Sequence, residues 1–484
     1  MHHIAVLGAG SISHSKRLLN DLFNLPLMQG TRLVLMSPHI DRVTIVADFA
    51  TRLVAVNRVD AVVESTDSIE HALSGAEVVF LVFDSGGFTA FDRDFQTAQK
   101  YGIDSCVGDT LGPTGIMKAC RNIAVLHKFS ASFVRLCPNA LVVNYVNPMA
   151  PVTLSAHRLG MRNALGICGG VEATRKTIGA CLERPPESID FRFAGINHMT
   201  WALEISSAGA DLYPELKQRM SAPAWIAAEP VRFEVLQHFG YFVTETSGHL
   251  SDFFPWFRKN ESTRALYCSG AGYSGASGAY HRYASYIHRR LENVNYLQFE
   301  TGELEPASDD YGARMADAWL RGGEFQFYGN VPNSSGLVAN LPRDCAVELP
   351  IRLKNRVIAP ESQDDLPLQL AALCQSNVTV HKLTVEAALT GNRELLFAAL
   401  SMDPLTGAVL TLPEIRSLTA ELLSHNSEWL PPGWFESRGD YIDIGPHIHV
   451  RPASVPGENL LEVVRRYDRE KRKATRTAAR QNLS

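Results

Sequence analysis

The chain of 484 residues lacks three features that mark other classes of protein. No apolar run approaches the roughly 20 residues needed to span a bilayer, so we expect no membrane partner. Its 46 Lys and Arg do not outnumber its 51 Asp and Glu, which argues against nucleic acid as the main partner. Its eight cysteines stand singly and form no CxxC pair. The N-terminus also lacks the pattern of a signal peptide, and we therefore expect a reducing, cytoplasmic location.

The remaining composition is that of an ordinary globular protein, with 45% hydrophobic and 20% charged residues. This length suits two large domains better than one core. We expect a nucleotide-binding domain at residues 1–195 and a domain for substrate binding and oligomerisation at residues 196–435. Residues 436–484 are expected to form a C-terminal arm with a basic helix.

The first residues carry a dinucleotide-binding pattern. A short apolar strand at residues 4–7 leads into Gly8 and Gly10, then Ser11, and a helical pattern follows. Gly8 permits a tight turn, Gly10 lets the backbone approach a pyrophosphate, and the helix N-terminus stabilises the anion. Ser13 stands where the full motif has its third glycine, so the prediction rests on the order strand, glycine turn, helix.

Alternating strand and helix patterns continue to about residue 167 and predict an α/β fold with a doubly wound parallel sheet. The second strand ends at Ser37, where an acidic residue normally binds the ribose diol, and Arg42 nearby would also admit a 2′-phosphate. We therefore expect NAD and leave NADP open. Ligands bind at the carboxyl ends of such strands, where Asp84, Asn147 and Cys168 lie.

Cys168 and His198 are candidate metal ligands within two glycine-containing segments. His198 follows Cys168 by 30 residues, which matches no zinc signature. A thiolate is also an unusual ligand for Mn²⁺, which prefers oxygen. The two residue types alone favour a pair of buried core residues over a metal site.

Taken in order, the motifs of this chain resemble those of glycoside hydrolase family 4. The matching segments are the glycine turn, residues 108–113, 147–149, 166–170, 195–199, 241–249, 328–331 and 340–342. The resemblance spans most of residues 4–430 and is strongest to the branch that acts on non-phosphorylated α-galactosides, α-glucosides and glycosiduronates. It implies a C-terminal α/β domain like that of lactate and malate dehydrogenases, and we expect a homodimer or homotetramer.

The resemblance also implies a redox-assisted hydrolysis of a small glycoside. NAD⁺ would oxidise C3 of the sugar, a base would remove the C2 proton, the aglycone would leave C1, and water would add before the hydride returns. A divalent ion, normally Mn²⁺, would stabilise the enediolate as a Lewis acid. Two alternatives keep the fold: a sugar 3-dehydrogenase or glycoside lyase, and a weakened NAD-binding sensor.

Further site roles follow from the same resemblance. It implies Cys168 and His198 as metal ligands and, for the substrate hydroxyls, Asn147, Asn197 and Asp109. Each asparagine could instead form an Asx turn or a cap, and Asp109 could cap a helix that begins near Gly115. We also assign Asn147 to the cofactor site, with Gly8, Gly10, Ser11, Ser37 and Asp84.

The catalytic base is left open among three residues, with Asp109 as a further catalytic candidate. Relatives that act on phosphorylated sugars have a tyrosine in the segment matching residues 248–257, where this chain has phenylalanines. Glu245, His249 or Asp252 must then accept the proton. Gly169 follows the cysteine where related enzymes have a histidine or an aspartate, so the acid is also open. Glu172 is a candidate substitute.

Overall fold

The computed structural model describes residues 1–292 and 296–436, and thirteen strands within them form one continuous sheet. The strands are β1 (His2–Leu7), β2 (Thr31–Met36), β3 (Ala61–Thr66), β4 (Val78–Leu81), β5 (Leu141–Asn144), β6 (Ala164–Gly166), β7 (Asp190–Ile196), β8 (Met199–Ser207), β9 (Ala210–Asp211), β10 (Phe242–Val243), β11 (Glu324–Pro332), β12 (Ala346–Lys354) and β13 (Val357–Pro360).

The α-helices follow the strands in the first half and dominate the end of the described chain. They are α1 (Ile12–Phe23), α2 (Ile40–Asn57), α3 (Ile69–Leu73), α4 (Gly87–Lys100), α5 (Gly112–Leu136), α6 (Met149–Arg158), α7 (Gly170–Leu182), α8 (Tyr213–Met220), α9 (Pro223–Ala228), α10 (Pro230–Phe239), α11 (Ser247–Leu250), α12 (Glu261–Tyr267), α13 (Ala279–Ile287), α14 (Gly312–Arg321), α15 (Leu368–Thr390), α16 (Arg393–Met402), α17 (Pro404–Val409) and α18 (Leu412–Asn426).

The N-terminal half forms the parallel part of the sheet in the order β3-β2-β1-β4-β5-β6. All residues of β4 and β5 are buried, as expected for strands covered by helices on both faces. The strand order reverses between β1 and β4, and this reversal opens a crevice at their carboxyl ends. The predicted doubly wound α/β fold is confirmed.

The C-terminal half extends the same sheet with antiparallel strands, in the order β6-β11-β12-β7-β8-β10. The expected domain boundary at residue 195 falls inside β7. Strand β7 pairs with β12 where Gly195 faces Glu348, so both halves share one sheet. The expected C-terminal arm lies, from residue 437 onward, outside the described residues.

The start of helix α5 and the residue that caps it differ from what the sequence predicts. Helix α5 begins at Gly112 instead of near Gly115, because Pro113 suits the first turn of a helix. Its N-cap is Leu111, and the N–H of Gly112 donates to Asp403, so Asp109 does not cap this helix.

None of the described helices is both long and apolar enough to cross a membrane. All eight cysteines are free.

Candidate active site

The turn after β1 packs closely against its neighbours at the crevice. Gly8 has a φ of 96°, and a Cβ there would lie 2.4 Å from the Cα of Phe83 at the end of β4. A Cβ on Gly10 would lie 2.7 Å from the Ser37 hydroxyl oxygen. Ser11 is the N-cap of α1, but its side chain makes no capping hydrogen bond. Both positions therefore require glycine, because a Cβ at either one would clash with the neighbouring residue.

The other cofactor candidates lie around the same crevice with different partners. The buried Ser37 hydroxyl accepts a hydrogen bond from the His39 N–H at 3.2 Å. Arg42 donates from Nε to the Gly10 carbonyl at 3.0 Å. Asp84 follows β4, and its side chain is 40% exposed. The polar side chains nearest the expected ribose position therefore stabilise the turns there.

Three side chains converge at the carboxyl ends of the central strands. Cys168 lies between β6 and α7, His198 in the turn between β7 and β8, and Glu245 just after β10. Their ligand atoms all lie within 4.8 Å of one another. Glu245 Oε1 is 3.8 Å from Cys168 Sγ and 3.8 Å from His198 Nε2. Glu245, expected as a base, is thus brought beside the two expected metal ligands.

The backbone at this cluster is strained. His198 and Glu245 have φ values of 64° and 73°, in the left-handed region that costs residues other than glycine about 1–3 kcal/mol each. A Cβ on Gly170 would lie only 2.2 Å from Glu245 Oε1, so a glycine is needed for this carboxylate to approach the thiol. Such strain is typical of sites where side-chain position matters more than stability.

The electrostatics of the cluster fit a cation. Burial raises the pKa of the Cys168 thiol, and Glu245 and Glu348 raise it further. Burial lowers the pKa of His198, which leaves a neutral imidazole with a lone pair to donate. Although burial acts to raise it, the pKa of Glu245 falls to about 2, chiefly because of His198 and His249. One sulfur, one nitrogen and one oxygen ligand, with an open side, suit a divalent transition-metal ion.

His249 connects this cluster to Asp109. Its Nδ1 lies 3.4 Å from Glu245 Oε2, and its Nε2 lies 4.0 Å from Asp109 Oδ1. The buried Nε2 has no hydrogen-bond partner within the described residues. Burial acts to lower the pKa of His249, but Glu245 and Asp109 raise it above its usual value. A buried ring nitrogen left unpaired between two carboxylates is placed to exchange a proton with a ligand.

Asn147 and Asn197 differ in how their amides are used. Asn147 donates from Nδ2 to Asp109 Oδ2 at 3.0 Å, so its side chain faces Asp109 and not the turn that follows it. Asn197 is 1% exposed, and in the described structure neither polar atom of its amide has a hydrogen-bond partner of good geometry. It still lies near enough to Cys168 and Glu348 to lower the pKa of each. Neither amide serves the Asx turn or cap that was the alternative.

The position of Asp252 argues against the expected role as a base. Its carboxylate accepts hydrogen bonds from the backbone N–H groups of residues 106–108, at 2.9, 2.9 and 3.2 Å. Arg258 Nε lies 3.5 Å from the same carboxylate. Both oxygens of this carboxylate therefore hold the loop that leads to Asp109, and Asp252 is better explained as a structural residue.

The position after the cysteine carries no acid. Gly169 is the N-cap of α7, and a Cβ there would meet no atom within 4 Å. Glu172, the expected substitute, forms an ion pair with Arg175 at 2.9 Å. Position 169 therefore faces open space next to the cluster of Cys168, His198 and Glu245.

Sequence reasoning missed two buried charged residues at this site. Glu348 on β12 is 1% exposed, contacts Thr200 and Asn330, and burial raises its pKa to about 7. Lys118 on α5 lies 3.3 Å from Asp84, and its side chain is 7% exposed. The available signal for Lys118 was its position among apolar residues at 116–120. Glu348 gave the same kind of signal among the apolar residues at 345–351, but only strand pairing places it at this site.

Comparison with known proteins shows which family the chain belongs to. A family model described as Family 4 glycosyl hydrolase matches residues 3–183, and one described as Family 4 glycosyl hydrolase C-terminal domain matches residues 193–406. An alpha-galactosidase of Rhizobium meliloti (strain 1021) is 32% identical over 437 residues, covering 88% of this chain and 89% of that protein. An alpha-galactosidase of Bacillus subtilis (strain 168) is 31% identical over 442 residues, covering 89% and 99%.

Solved structures show the same fold at lower identity. The structure of lplD from Bacillus subtilis has a TM-score of 0.76 at 22% identity and covers 87% of this chain and 100% of that chain. A 6-phospho-alpha-glucosidase from gut microorganisms, solved with NAD and Mn²⁺, has a TM-score of 0.73 at 18% identity, covering 89% and 99%. From the family matches and the relatives above 30% identity, the chain belongs to glycosyl hydrolase family 4 and is a glycoside hydrolase that acts on O-glycosyl bonds.

Proposed function

We propose that this enzyme hydrolyses a non-phosphorylated α-galactoside, α-glucoside or glycosiduronate with NAD and a divalent ion, normally Mn²⁺. The observation that carries the proposal is the cluster of Cys168, His198 and Glu245 at the strand ends beside the dinucleotide crevice. The relatives described as alpha-galactosidases, an alpha-glucosidase and alpha-galacturonidases support the substrate classes. A neighbour solved with NAD and Mn²⁺ supports the cofactors.

NAD in the crevice supplies reversible hydride transfer at C3 of the sugar, and a divalent ion supplies Lewis-acid stabilisation of negative charge. In this proposal Cys168, His198 and Glu245 hold the ion. Asn197, whose buried amide has no well-formed hydrogen bond within the described chain, orients a sugar hydroxyl. Asp109 orients a second hydroxyl, and Asn147 fixes the Asp109 carboxylate at 3.0 Å.

His249 is the proposed base for the C2 proton. Its Nε2 is unpaired within the described residues, whereas Glu245 is committed to the metal-ligand cluster and Asp252 to backbone N–H groups. Glu245 on the Nδ1 side orients the ring and stabilises the imidazolium that forms when Nε2 takes the proton. Asp109 stabilises the same charge from the other side.

The departure of the aglycone receives no help from position 169, because Gly169 has no proton to donate. We therefore propose that water protonates the leaving group. The rate should then depend on leaving-group pKa more strongly than in an enzyme with a positioned acid.

A panel of p-nitrophenyl glycosides and glycosiduronates tests the proposal, with NAD⁺ and Mn²⁺ each present or omitted. We expect nitrophenol release that needs both additives and accumulates no net NADH. Accumulation of NADH would identify a sugar 3-dehydrogenase, and an unsaturated sugar product would identify a lyase. Absence of turnover with every substrate, despite NAD binding, would favour a sensor.

Two variants separate the metal site from the cofactor site. Cys168→Ser and His198→Ala should abolish Mn²⁺-dependent turnover and leave NAD binding intact, because neither residue lies at the β1–β4 crevice. A C2-deuterated substrate should show an isotope effect or solvent exchange. Absence of both would exclude removal of the C2 proton as a step of the reaction.

A further inference from the structure

A buried lysine lies between two carboxylates on opposite sides of the proposed active site. The Nζ of Lys118 is 3.3 Å from Asp84 Oδ2 and 3.9 Å from Asp109 Oδ2. Asp84 follows β4 at the dinucleotide crevice, whereas Asp109 contacts Asn147 and lies beside His249. One ammonium group therefore spans the cofactor side and the sugar side.

Packing alone does not account for a charge at this position. An unpaired ammonium ion buried in protein costs several kcal/mol, and an apolar side chain of similar volume is often at least as stable as a buried ion pair. Burial acts to lower the pKa of Lys118, but Asp84, Tyr280 and Asp109 raise it above its usual value, so the amine stays charged. Its two carboxylate partners are both candidate ligand-binding residues.

We propose that Lys118 is a positioning residue that holds the Asp84 and Asp109 carboxylates together, so that binding of NAD and binding of the sugar are energetically coupled through its ammonium group. The proposal rests on the proposed function for the identity of the two ligands. Asp84 is 40% exposed, whereas the Asp109 side chain is 7% exposed, so a ligand can reach the former directly from the crevice.

The coupling follows from competition for one charge. A cofactor group that hydrogen-bonds to Asp84 weakens the ion pair between Asp84 and the Lys118 ammonium group. The ammonium group then pairs more strongly with Asp109. A closer ammonium ion offsets more of the cost of keeping the Asp109 carboxylate charged when a sugar excludes water from it. Because such coupling is reciprocal, bound sugar must tighten NAD by the same factor, and typical couplings are about 5-fold to 150-fold.

The ionisable groups that face this charge come from several elements. They are Asp84 after β4, Asp109 before α5, Tyr280 on α13, and His249 on α11 beyond Asp109. Burial acts to raise the pKa of Asp109, and Lys118 is the largest influence that lowers it. Loss of Lys118 should therefore move the acid limb of the kcat/KM profile to higher pH.

The test compares Lys118→Met and Lys118→Arg with wild type, and uses Lys128→Met, an exposed lysine on the same helix, as the matched control. NAD affinity is measured by calorimetry on the Mn²⁺-loaded enzyme without sugar and with saturating D-galactose, D-glucose or D-galacturonate. We expect at least one sugar to tighten NAD about 5-fold or more in wild type and in Lys128→Met. Lys118→Met should lose this coupling, and Lys118→Arg should restore most of it.

The pH profile is the second readout, because a merely structural residue would lower stability without moving the acid limb. If Lys118→Met does not fold, Asp84→Asn replaces it, since Lys118 then keeps Asp109 as its partner; the same loss of coupling is expected. Unchanged coupling in the folded variant, or no coupling in wild type with any of the three sugars, overturns the proposal. The titrations need no turnover, so failure of the glycosidase assay is recorded separately.

Discussion

The two glycines after Cys168 differ in the space around them: Gly169 has room for a side chain and Gly170 does not. A Cβ on Gly169 would meet no atom within 4 Å, whereas a Cβ on Gly170 would lie 2.2 Å from Glu245 Oε1 and 3.5 Å from Cys168 Sγ. Gly169→Ala and Gly170→Ala therefore form a matched pair in which one methyl group falls in open space and the other within the cluster of Cys168, His198 and Glu245.

Gly170→Ala should weaken Mn²⁺ binding about 10-fold to 100-fold, because the methyl group displaces the Glu245 carboxylate. Gly169→Ala should bind Mn²⁺ as wild type does. Titration of each apoenzyme with Mn²⁺, followed by electron paramagnetic resonance, measures both affinities. NAD binding serves as the check on folding. Equal Mn²⁺ affinities for the two variants would show that Glu245 does not hold the ion.

The open space at Gly169 also allows an acid to be added. Gly169→Asp and Gly169→His should increase the hydrolysis of alkyl glycosides, whose leaving groups are poor, and change p-nitrophenyl glycosides little. Gly169→Asn is the control, since it adds similar volume without an acidic proton. The measurement is kcat across a series of leaving groups. If kcat depends on leaving-group pKa equally strongly in all variants, protonation of the leaving group by water does not limit the hydrolysis of poor substrates.

At the scale of elements, the β7–β8 hairpin positions His198 and Asn197 through a buried contact with β12. The Thr200 hydroxyl lies 2.9 Å from the Ile196 carbonyl and 2.5 Å from Glu348 Oε2. Because a hydroxyl has one proton, both contacts are hydrogen bonds when Glu348 is protonated, which its pKa of about 7 permits. The hairpin turn is thereby fixed to the centre of the sheet.

Thr200→Val should lower the free energy of unfolding by about 1–3 kcal/mol, because it leaves buried oxygens of Ile196 and Glu348 without their partner. It should also weaken Mn²⁺ binding, since the turn carrying His198 is no longer fixed. Thr200→Ser keeps the hydroxyl and is the matched control. Urea unfolding measures the first effect and Mn²⁺ titration the second. If Thr200→Val has the same free energy of unfolding and the same Mn²⁺ affinity as Thr200→Ser, the Thr200 hydroxyl does not fix the turn.

The elements also show what sequence could and could not predict. Strands β1 to β6 are short apolar runs separated by helical patterns, and that local signal sufficed for the parallel sheet. The antiparallel pairing of β11 with β6 and of β12 with β7 joins residues far apart in sequence, for which no local pattern exists. Strand pairing brings Glu348 to the site and the packing of α5 brings Lys118 there, so apolar neighbours could indicate that both residues are buried but not that they belong to the site.

At the scale of the whole molecule, the site depends on the continuity of the sheet. Cys168 follows a strand of the parallel half, whereas His198 and Glu245 follow strands of the antiparallel half. Strand β11 bridges the halves, because it pairs with both β6 and β12. A metal ion held by all three residues would therefore stabilise the connection between the halves by binding only the folded state.

Two buried groups act in opposite directions on the stability of the metal-free protein as pH falls from 7 to 4: His381 should destabilise the fold, and Glu348, whose pKa is raised to about 7, should stabilise it. Burial lowers the pKa of His381 on α15 to about 4, against 6.5 for an exposed histidine, and burial also lowers the pKa of His198. Between pH 6.5 and pH 4 these histidines bind protons in the unfolded chain but not in the folded protein, so their contribution lowers the free energy of unfolding as pH falls. The shift at His381 corresponds to about 3 kcal/mol over that window.

Urea unfolding at several pH values between 7 and 4, with chelator present, measures the net pH dependence of stability. Relative to wild type, His381→Gln should make stability fall less, or rise more, as pH falls, because glutamine takes up no proton in the unfolded chain. His238→Gln on α10, where the histidine side chain is 72% exposed, should leave the dependence as in wild type. The quantity compared is the slope of the free energy of unfolding against pH, because either substitution can also change stability by the same amount at every pH. Equal slopes for His381→Gln and His238→Gln would mean that His381 takes up its proton in the folded state, through a local opening of α15 that exposes its ring to water.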